Sequence, residues 1–477
     1  MRKEKIMAKQ LFNSSEKTNF ILNMTEEKYS KIAAFGLIAA CFATSVAAAV
    51  PVISREPLHG VTSAGLTIAG VIAMILALIG ALKKFIRKSA LIPVCALGFA
   101  LVWSMISLIC SYDKGISFYG FNGRGEGIFT LIFYFCFFVT GASIKLEKSA
   151  KILIIGLIGT GILNSVAALI QVFTGKFNDY RMISMEIQAN AAVGFSQSPL
   201  FLAVLLTFSL IAALTGAILA AKKSYKIVCI IAACIFAFTI MFTYSFIGIC
   251  GAVISVIAAA IVIFANKKPK INLLAVLSVI IPAVISIIIV QAGVIGNISQ
   301  YRLYDGRILW FADSYYRLSA SGEPDLNLVD IDDTFDVYYT LNRKTIDIIS
   351  ANPLVGTGPE QLVFPQLYTS GSAGENAAVS DIIIENKGTF DKDYNEYLYT
   401  AATRGIPSAI ALIIAVIAIL AAGFKSFRSG RKWQSVFVLS ITAAGALIFL
   451  ICCSSTAFAP IFWCAAGCCC SGKASSK

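Results

Sequence analysis

The sequence predicts an all-α polytopic membrane protein with about 12 transmembrane helices and one large extracytoplasmic loop containing short amphipathic helices. Composition is the first reason: 58% of the residues are hydrophobic, 14% are charged, and the mean hydropathy is +0.80. A soluble fold has no way to bury that much apolar surface. The second reason is a series of apolar runs that approach the roughly 20 residues needed to cross a bilayer. The third is that lysine and arginine concentrate in alternate connections between those runs.

Polar and apolar stretches divide the chain into consecutive parts. Residues 1–31 are charged and are predicted to form a cytoplasmic tail, which is too polar for a cleavable signal peptide. Residues 32–293 and 406–472 contain the apolar runs, residues 294–405 form the large loop, and residues 473–477 form a second cytoplasmic tail. The predicted spans are 32–53, 66–82, 90–110, 127–143, 152–174, 199–221, 227–243, 247–265, 271–293, 406–424, 434–453 and 456–470.

The distribution of charge sets the predicted orientation. Most of the 39 lysine and arginine residues lie in residues 1–31 and in the connections on the same side of the spans. The positive-inside rule therefore places both termini in the cytoplasm. The net charge of +13 is explained by this topology, so the lipid bilayer is a predicted partner and nucleic acid is not.

Arginine is more frequent than lysine on the predicted outer face. Its planar guanidinium binds phosphate or carboxylate in a bidentate manner, so these residues favour a phosphorylated ligand reached from outside. Salt bridges with acidic residues of the same loops would explain these arginines equally well. The outer arginines are Arg55, Arg124, Arg181, Arg302, Arg307, Arg317, Arg343 and Arg404.

The thirteen cysteines predict neither a disulfide framework nor a metal site. Most of them lie inside apolar runs, where cysteine acts as a small hydrophobic residue. Those between Cys452 and Cys470 have no histidine beside them and no second pair at metal-binding spacing.

The polar stretch from Asn352 to Pro407 is the strongest candidate for a functional site. It opens with Asn352-Pro-Leu-Val-Gly-Thr-Gly-Pro-Glu, in which two glycines favour a turn and close backbone approaches. It continues after a gap with Asp391-Lys-Asp-Tyr-Asn-Glu-Tyr-Leu-Tyr, a predicted short helix that ends at Gly405 before Pro407 opens the next span. One face of that helix is predicted to carry Tyr394, Tyr397 and Leu398.

Two other predicted outer segments contain patterned residues. In 111–127, glycines surround Arg124 and Glu126 in Tyr119-Gly-Phe-Asn-Gly-Arg-Gly-Glu-Gly, as expected of a loop whose backbone approaches a ligand. In 175–198, Arg181 precedes Gly194-Phe-Ser-Gln-Ser-Pro at the start of a span.

The large loop contains two stretches with helical spacing of apolar residues. Arg307–Arg317 and Leu341–Ile349 are predicted to be helices that lie on the membrane surface. The acidic run Asp325–Asp336 between them is predicted to be a solvated loop.

The order of these motifs resembles the signature region of the O-antigen ligase and polymerase superfamily. Its members typically carry Pro-Leu-hydrophobic-Gly-x-Gly-Pro, then His-Asn-x-hydrophobic-Leu, then a helix that begins near Gly-Ile/Leu-Pro/Gly. The corresponding residues here are Asn352-Pro-Leu-Val-Gly-Thr-Gly-Pro, Tyr394-Asn-Glu-Tyr-Leu and Arg404-Gly-Ile-Pro. The resemblance extends to Gly123-Arg-Gly-Glu-Gly, to Gly194-Phe-Ser-Gln-Ser-Pro and to the layout of the spans, and so covers most of the chain.

The resemblance implies a glycosyltransferase of the cytoplasmic (inner) membrane that acts on the outer face without a metal or other cofactor. Its donor would be a glycan on a polyprenyl diphosphate, and its acceptor a sugar hydroxyl of a glycan or glycolipid. Fixed guanidinium groups would stabilise the charge of the diphosphate leaving group. The implied catalytic residues are Arg181, Arg343, Tyr394 and Glu396. The implied substrate-binding residues are Arg124, Glu126, Gly356, Gly358, Asp393 and Asn395.

One residue departs from the family pattern, because Tyr394 stands where the ligases carry a histidine. The single histidine of the chain, His59, lies in another predicted loop. A tyrosine, with an unperturbed pKa of about 10, is a poor general base. Asp391, Asp393 or Glu396 would accept the proton instead, although either aspartate is equally suited to cap the helix. The substitution favours a polymerase, or a relative with altered chemistry, over a ligase, and it leaves the sugar, linkage and acceptor open.

Two other function classes remain open. An organic-anion or bicarbonate transporter should have ionisable residues within its spans, or broken helices in matched halves. The predicted spans hold almost no charge, and Pro282 is an isolated kink. A non-catalytic envelope-assembly protein has no evident need for an arginine-rich outer surface. The glycan polymerase or ligase is therefore the preferred prediction.

Overall fold

The structure, a computed structural model, describes residues 23–54, 59–121, 125–174, 192–196, 198–243, 245–265, 273–291, 331–363, 392–430 and 433–471. Within these ranges the chain consists of helices and the turns between them, with no strand, so the all-α prediction is confirmed. The helices are α1 (Glu26–Ser54), α2 (His59–Leu82), α3 (Leu91–Cys110), α4 (Lys114–Tyr119), α5 (Ile128–Ser143), α6 (Leu146–Thr174), α7 (Pro199–Leu219), α8 (Lys223–Met241), α9 (Phe246–Ala265), α10 (Leu273–Gln291), α11 (Ile331–Ala351), α12 (Glu396–Arg404), α13 (Ile406–Gly430), α14 (Trp433–Ile448) and α15 (Ala459–Cys469).

Each apolar run predicted from the sequence coincides with one of these helices. Seven of the described helices are long and apolar enough to cross a membrane, namely α1, α2, α3, α6, α7, α8 and α13. Another five apolar helices, α5, α9, α10, α14 and α15, are shorter over their fully described residues, which for α9 are Gly248–Val262 and for α10 Val276–Ile289. By the length and composition of its helices, the chain is a multi-pass membrane protein.

Helix α7 lies at the centre of the described bundle and is buried along almost all of its length. It packs against α6, α8, α9 and α14. Beside it, α5 and α15 cross closely at a pair of glycines. A Cβ atom at Gly141 would overlap the carbonyl oxygen of Cys464, and one at Gly467 would overlap that of Phe138. Such small residues let helices approach within a membrane, where packing rather than the hydrophobic effect drives association.

Helices α3 and α13 pack on each other at the edge of the bundle. Their outward faces are apolar and exposed, as shown by Val102, Ile109, Ile410 and Ile417. A continuous exposed apolar surface of this kind is expected where a protein contacts lipid.

Helix α11 corrects one prediction about the large loop. Its described residues start at Ile331, so the second half of the acidic run is helical and the prediction of a loop is wrong for residues 331–336. The predicted helix at Arg307–Arg317 lies outside the described residues. Helix α11 packs on α12 and so brings the end of the large loop to the candidate site.

Candidate functional site

The two ends of the stretch from Asn352 to Pro407 meet in the structure. The backbone N–H of Thr357 donates to the carbonyl of Ala402 at 2.9 Å, and the N–H of Gly358 donates to that of Thr403 at 2.9 Å. The N–H of Ile406 donates to the carbonyl of Pro353 at 2.8 Å. The turn at 352–361 therefore runs along the last residues of α12 and fixes the point at which α13 begins.

The two glycines of this turn allow the close contact. Gly356 has a φ of 65° and Gly358 a φ of 105°, which is backbone that other residues rarely adopt. A Cβ at Gly356 would lie 2.6 Å from the carbonyl oxygen of Ala402, and one at Gly358 would overlap the side chain of Ser111. The predicted close approaches are confirmed, and they are approaches to the protein's own chain.

The segment 111–127, which the sequence predicts to lie on the outer face, joins the same turn through Gln361. The amide nitrogen of Gln361 donates to the carbonyl of Asp113 at 2.9 Å and to the hydroxyl of Ser117 at 2.8 Å. The amide oxygen accepts from the N–H of Asp113 at 3.0 Å, and the Ser117 hydroxyl donates to the carbonyl of Pro359 at 2.7 Å. Segments that are about 240 residues apart in the sequence thus form one hydrogen-bonded unit.

A buried charge network lies beneath this unit, and Lys392 is at its centre. Its ammonium group pairs with the carboxylate of Glu126, lies 3.5 Å from that of Glu360, and donates to the carbonyl of Ser454 at 3.3 Å. The side chains of Lys392, Glu126 and Glu360 are each 2% exposed. Such burial is tolerated only when the charges are paired and hydrogen-bonded.

Neutral donors complete the shell around the two carboxylates. Tyr134 donates to Glu126 at 2.5 Å, and the hydroxyl of Ser454 donates to the same oxygen at 3.1 Å. Tyr399 donates to Glu360 at 2.7 Å. Burial beside these carboxylates raises the pKa of Tyr399, so its hydroxyl keeps its proton and remains a donor.

A second buried pair, Glu396 and Arg404, extends the network along α12. The Glu396 carboxylate accepts from the backbone N–H of Ser454 at 2.8 Å and lies 3.9 Å from the Arg404 guanidinium. Burial raises the pKa of Glu396, whereas Arg404 and Lys392 act to lower it. The Nε–H of Arg404 has no acceptor among the described residues.

Asp393 is buried, and neither of its carboxylate oxygens has a well-formed hydrogen bond within the described residues, although Thr345 and the N–H groups of Tyr394 and Asn395 lie close enough to act on its pKa. The hydroxyl of Thr345 on α11 faces it but donates to the carbonyl of Leu341 at 2.9 Å. Burial raises the pKa of Asp393 to about 7, and the opposing effects of Thr345 and of the N–H groups of Tyr394 and Asn395 are smaller. Asp393 is therefore a carboxyl group that gains or loses its proton near neutral pH.

Asn395, rather than an aspartate, caps α12. Its side-chain oxygen accepts from the N–H of Tyr397 at 3.0 Å and from that of Leu398 at 3.1 Å. Because the helix begins at Glu396, Tyr394 precedes it, and the predicted helical face shared by Tyr394, Tyr397 and Leu398 does not form. Tyr394 is half-buried and packs against the hydrophobic core.

The structure gathers most of the residues predicted for the site into one region. Glu126, Gly356, Gly358, Asp393, Asn395 and Glu396 all belong to the unit just described. Arg343 lies on the exposed side of α11, the helix whose Thr345 faces Asp393. Arg124, Arg181 and Asp391 lie outside the described residues.

The turn at Gly194 is held in a separate place by α6. The side-chain oxygen of Gln171 accepts from the N–H of Gly194 at 2.8 Å, and that of Asn164 accepts from the N–H of Phe195 at 3.1 Å. These contacts give the Gly194 turn a structural function in joining α6 to α7, and no described contact connects it to Lys392 or Asp393.

Sequence reasoning missed several members of the network. Lys392 and Glu360 belong to the motifs given above. Their positions next to Asp393 and Pro359 in the sequence could have identified them as members of the site. Tyr134 and Ser454 lie within or at the end of apolar runs, and nothing in the sequence marks them as partners of a glutamate. In the described part of the chain, no group of three or more His, Cys, Asp or Glu side chains is arranged to hold a metal ion.

The chain was compared with protein-family models and with curated proteins, and neither comparison found a match.

Proposed function

We propose that this chain is a glycan polymerase or ligase of the cytoplasmic membrane, related to the O-antigen ligase and polymerase superfamily. It transfers a glycan from a polyprenyl diphosphate to a sugar hydroxyl of a glycan or glycolipid on the outer face. The observation that supports the proposal is Asp393, a buried carboxyl group whose pKa burial raises to about 7. A general base with a pKa near the working pH is what this reaction requires.

The reaction follows from that role. The oxygen of the acceptor hydroxyl forms a bond to the anomeric carbon while the bond from that carbon to the diphosphate oxygen breaks. The hydroxyl proton passes to the carboxylate of Asp393, and polyprenyl diphosphate leaves with the electron pair of the broken bond. Asp393 is one of the three carboxylates that the sequence suggested as proton acceptors, so Tyr394 does not have to ionise.

The diphosphate is assigned first to Arg343, which does not belong to the described part of the buried network. Arg343 is exposed on the helix that packs against α12, and so is accessible to a ligand from solvent. Arg181 and Arg124 complete the proposed set. The network around Lys392 is unsuited to a diphosphate, because its described carboxylates outnumber its cations. Its proposed role is to hold the motif-bearing segments together.

Arg343→Lys is expected to reduce transfer at least tenfold while membrane expression stays normal. Lysine keeps the charge but lacks the planar fork that binds two phosphate oxygens at once. The measurement is glycan chain length in envelope extracts of cells that carry each variant. Arg428→Lys, on the exposed end of α13, is the matched control and should leave the glycan unchanged. Normal chains from Arg343→Lys would remove it from the diphosphate site.

The proposed topology has about 12 spans, both termini in the cytoplasm, and residues 297–387 outside. Ser321→Cys should then react with a membrane-impermeant thiol reagent in intact cells. Ser429→Cys, at the end of α13, should react only after lysis. Both variants need a background in which the exposed Cys95 and Cys110 are alanine. Labelling of Ser321→Cys only after lysis would reverse the topology and with it the outward-facing site.

The placement of charge in the described spans does not favour a transporter. The Lys, Arg, Asp and Glu side chains of these helices lie in the first or last two turns, and the charged members of the buried network belong to connecting segments and to the short helix α12. Transporters place such groups near the middle of their spans. Deleting the gene and comparing envelope glycans tests the proposal directly, because unchanged glycan length and linkage would exclude both polymerase and ligase.

A further inference from the structure

One end of the helical bundle is strongly basic. It is formed by residues 26–31 at the start of α1, residues 83–88 between α2 and α3, and residues 145–151 at the start of α6. These three segments contain nine lysine and arginine residues but only three glutamates. A surface with this surplus of positive charge attracts anions.

Hydrogen bonds and an ion pair hold the three segments together. The N–H of Lys145 donates to the hydroxyl of Ser30 at 2.7 Å, and the hydroxyl of Ser149 donates to the carbonyl of Ser30 at 2.9 Å. The guanidinium of Arg87 pairs with the carboxylate of Glu26. The lysines of this end therefore belong to one fixed surface rather than to three independent loops.

The position of this surface along the helices is that of lipid headgroups. Helix α5 begins two residues after Glu126 of the buried network and ends at Ser143, two residues before Lys145. Its 16 residues span about 24 Å. The hydrocarbon core of a bilayer is roughly 30 Å thick. The basic end is therefore separated from the buried network by about one hydrocarbon layer, and the charge distribution predicts that it faces the cytoplasm.

Exposed apolar side chains follow the lysines on both α1 and α6. On α1, Lys31 is exposed, and Phe35, four residues later, is 62% exposed. On α6, Lys151 is exposed, and Ile155, four residues later, is 69% exposed. Residues four apart share one face of a helix, so each helix presents a charged group and then an apolar group towards its middle. The two helices pack on each other, and Gly156 lies against α1, so both patterns border the seam between α1 and α6.

The basic end of this seam contains more lysine than its carboxylate neutralises. Glu27 and Lys148 form a salt bridge of 3.0 Å between the two helices. Lys31 and Lys145 also lie close enough to interact electrostatically with Glu27. Within the described residues, neither Lys31 nor Lys145 forms a salt bridge of its own. Their two positive charges are therefore available to an anionic ligand.

We infer that the seam between α1 and α6 binds one anionic phospholipid, an inference that does not depend on the proposed glycosyltransferase. The phosphate of the headgroup contacts the ammonium groups of Lys31 and Lys145, and an acyl chain lies along Phe35 and Ile155. A soluble anion would use the lysines and leave the apolar residues without a contact. A zwitterionic lipid would bring a cation of its own to a surface that is already positive. The combined pattern fits a lipid with a net negative headgroup.

Lipid binding to the purified full-length protein in detergent tests this inference. The probes are dioleoylphosphatidylglycerol and dioleoylphosphatidylcholine, which have the same chains and differ in headgroup charge, and native mass spectrometry measures their affinities. Each lysine near an anionic headgroup contributes about a fivefold gain in affinity, so phosphatidylglycerol should bind at least tenfold more tightly. Glycerol phosphate, which is the headgroup without chains, should not displace it at equal concentration.

Three variants locate the site. Lys31→Gln combined with Lys145→Gln should remove the preference for phosphatidylglycerol, while the backbone bond of residue 145 is kept. Lys222→Gln combined with Lys223→Gln removes the same charge from the exposed start of α8, so it is the matched control and should retain the preference. Glu27→Gln removes the carboxylate beside the two lysines and should tighten the binding of phosphatidylglycerol a few-fold.

Several outcomes would overturn the inference. Equal binding of the two lipids to the wild-type protein would exclude a site for an anionic lipid. A preference that survives the loss of Lys31 and Lys145, or that falls as much in the control pair, would show that the attraction is spread over the whole basic surface. Unchanged binding by Glu27→Gln would place the phosphate elsewhere, and displacement by glycerol phosphate would make the site one for soluble anions. None of these results bears on glycosyl transfer, which is measured separately.

Discussion

Asp393→Asn is expected to reduce glycosyl transfer by about 100-fold or more while the protein still folds. Asparagine has the shape of a protonated aspartate but cannot accept a proton, and a positioned general base contributes about 10²–10⁴-fold to such a step. The measurement is the turnover of purified protein with a lipid-linked donor and a glycan acceptor. Transfer within a few-fold of the wild type would show that another group accepts the proton.

The wild-type rate is expected to rise as the pH increases through about 7. Asp393 accepts a proton only when it is ionised, and burial raises its pKa to about 7. Below that value the active fraction should fall about tenfold per pH unit. A kcat that is constant between pH 5.5 and 8.5 would contradict this role. The residual activity of Asp393→Asn should lack this dependence on pH.

The same substitution should make the protein more stable at alkaline pH. The pKa of Asp393 is higher in the folded protein than the value of about 3.9 expected when unfolded, so the folded state holds this proton more tightly. The resulting stabilisation is complete below the unfolded pKa and is lost as the pH rises through about 7. The melting temperature of Asp393→Asn should therefore exceed that of the wild type more at pH 8 than at pH 5.

Tyr394→Phe is the control for position, because it keeps the ring beside Asp393 and removes only the hydroxyl. It should retain part of the activity and the wild-type response to pH. If Tyr394→Phe is inactive and Asp393→Asn is active, the acceptor chemistry belongs to Tyr394 at the family's histidine position.

The membrane-spanning helices could be predicted because each contains a local run of apolar residues. The end of α12 could be predicted from Gly405, which has a φ of 82°. The turn at 352–361 could be predicted from its glycines, which come close to α12. The helical conformation of residues 331–336 was missed because a run of aspartates is equally typical of a solvated loop. In the structure residues 331–336 belong to α11.

The interior of the site could not be predicted because its contacts join distant parts of the chain. Lys392 and Glu126 are 266 residues apart, and Ser454 and Glu126 are 328 apart. Glu126 was predicted to face a ligand from a glycine-rich loop, whereas it is buried against a lysine that looked like an ordinary loop charge. The same ambiguity applies to Asp393, since no local pattern distinguishes a buried aspartate from a helix cap.

Lys392→Met is expected to lower the stability of the protein more than any other single substitution in the network. It leaves Glu126 and Glu360 buried without the cation that lies between them. Removing one partner of a buried ion pair costs roughly 3–5 kcal/mol, because the remaining charge has no compensation. The measurement is the thermal midpoint of the detergent-purified protein, together with the amount recovered from membranes.

A double variant tests whether unpaired charge explains the loss of stability in Lys392→Met. Lys392→Met combined with Glu126→Gln removes a positive and a negative charge together, so it should recover part of the lost stability. The matched control is Lys148→Met, whose partner Glu27 lies at 3.0 Å with both side chains about half exposed. An exposed pair of this kind contributes about 0–1 kcal/mol, so the control should melt close to the wild type. If Lys392→Met and Lys148→Met have the same thermal midpoint, Lys392 does not hold the site together. The three segments are then fixed by their backbone hydrogen bonds instead.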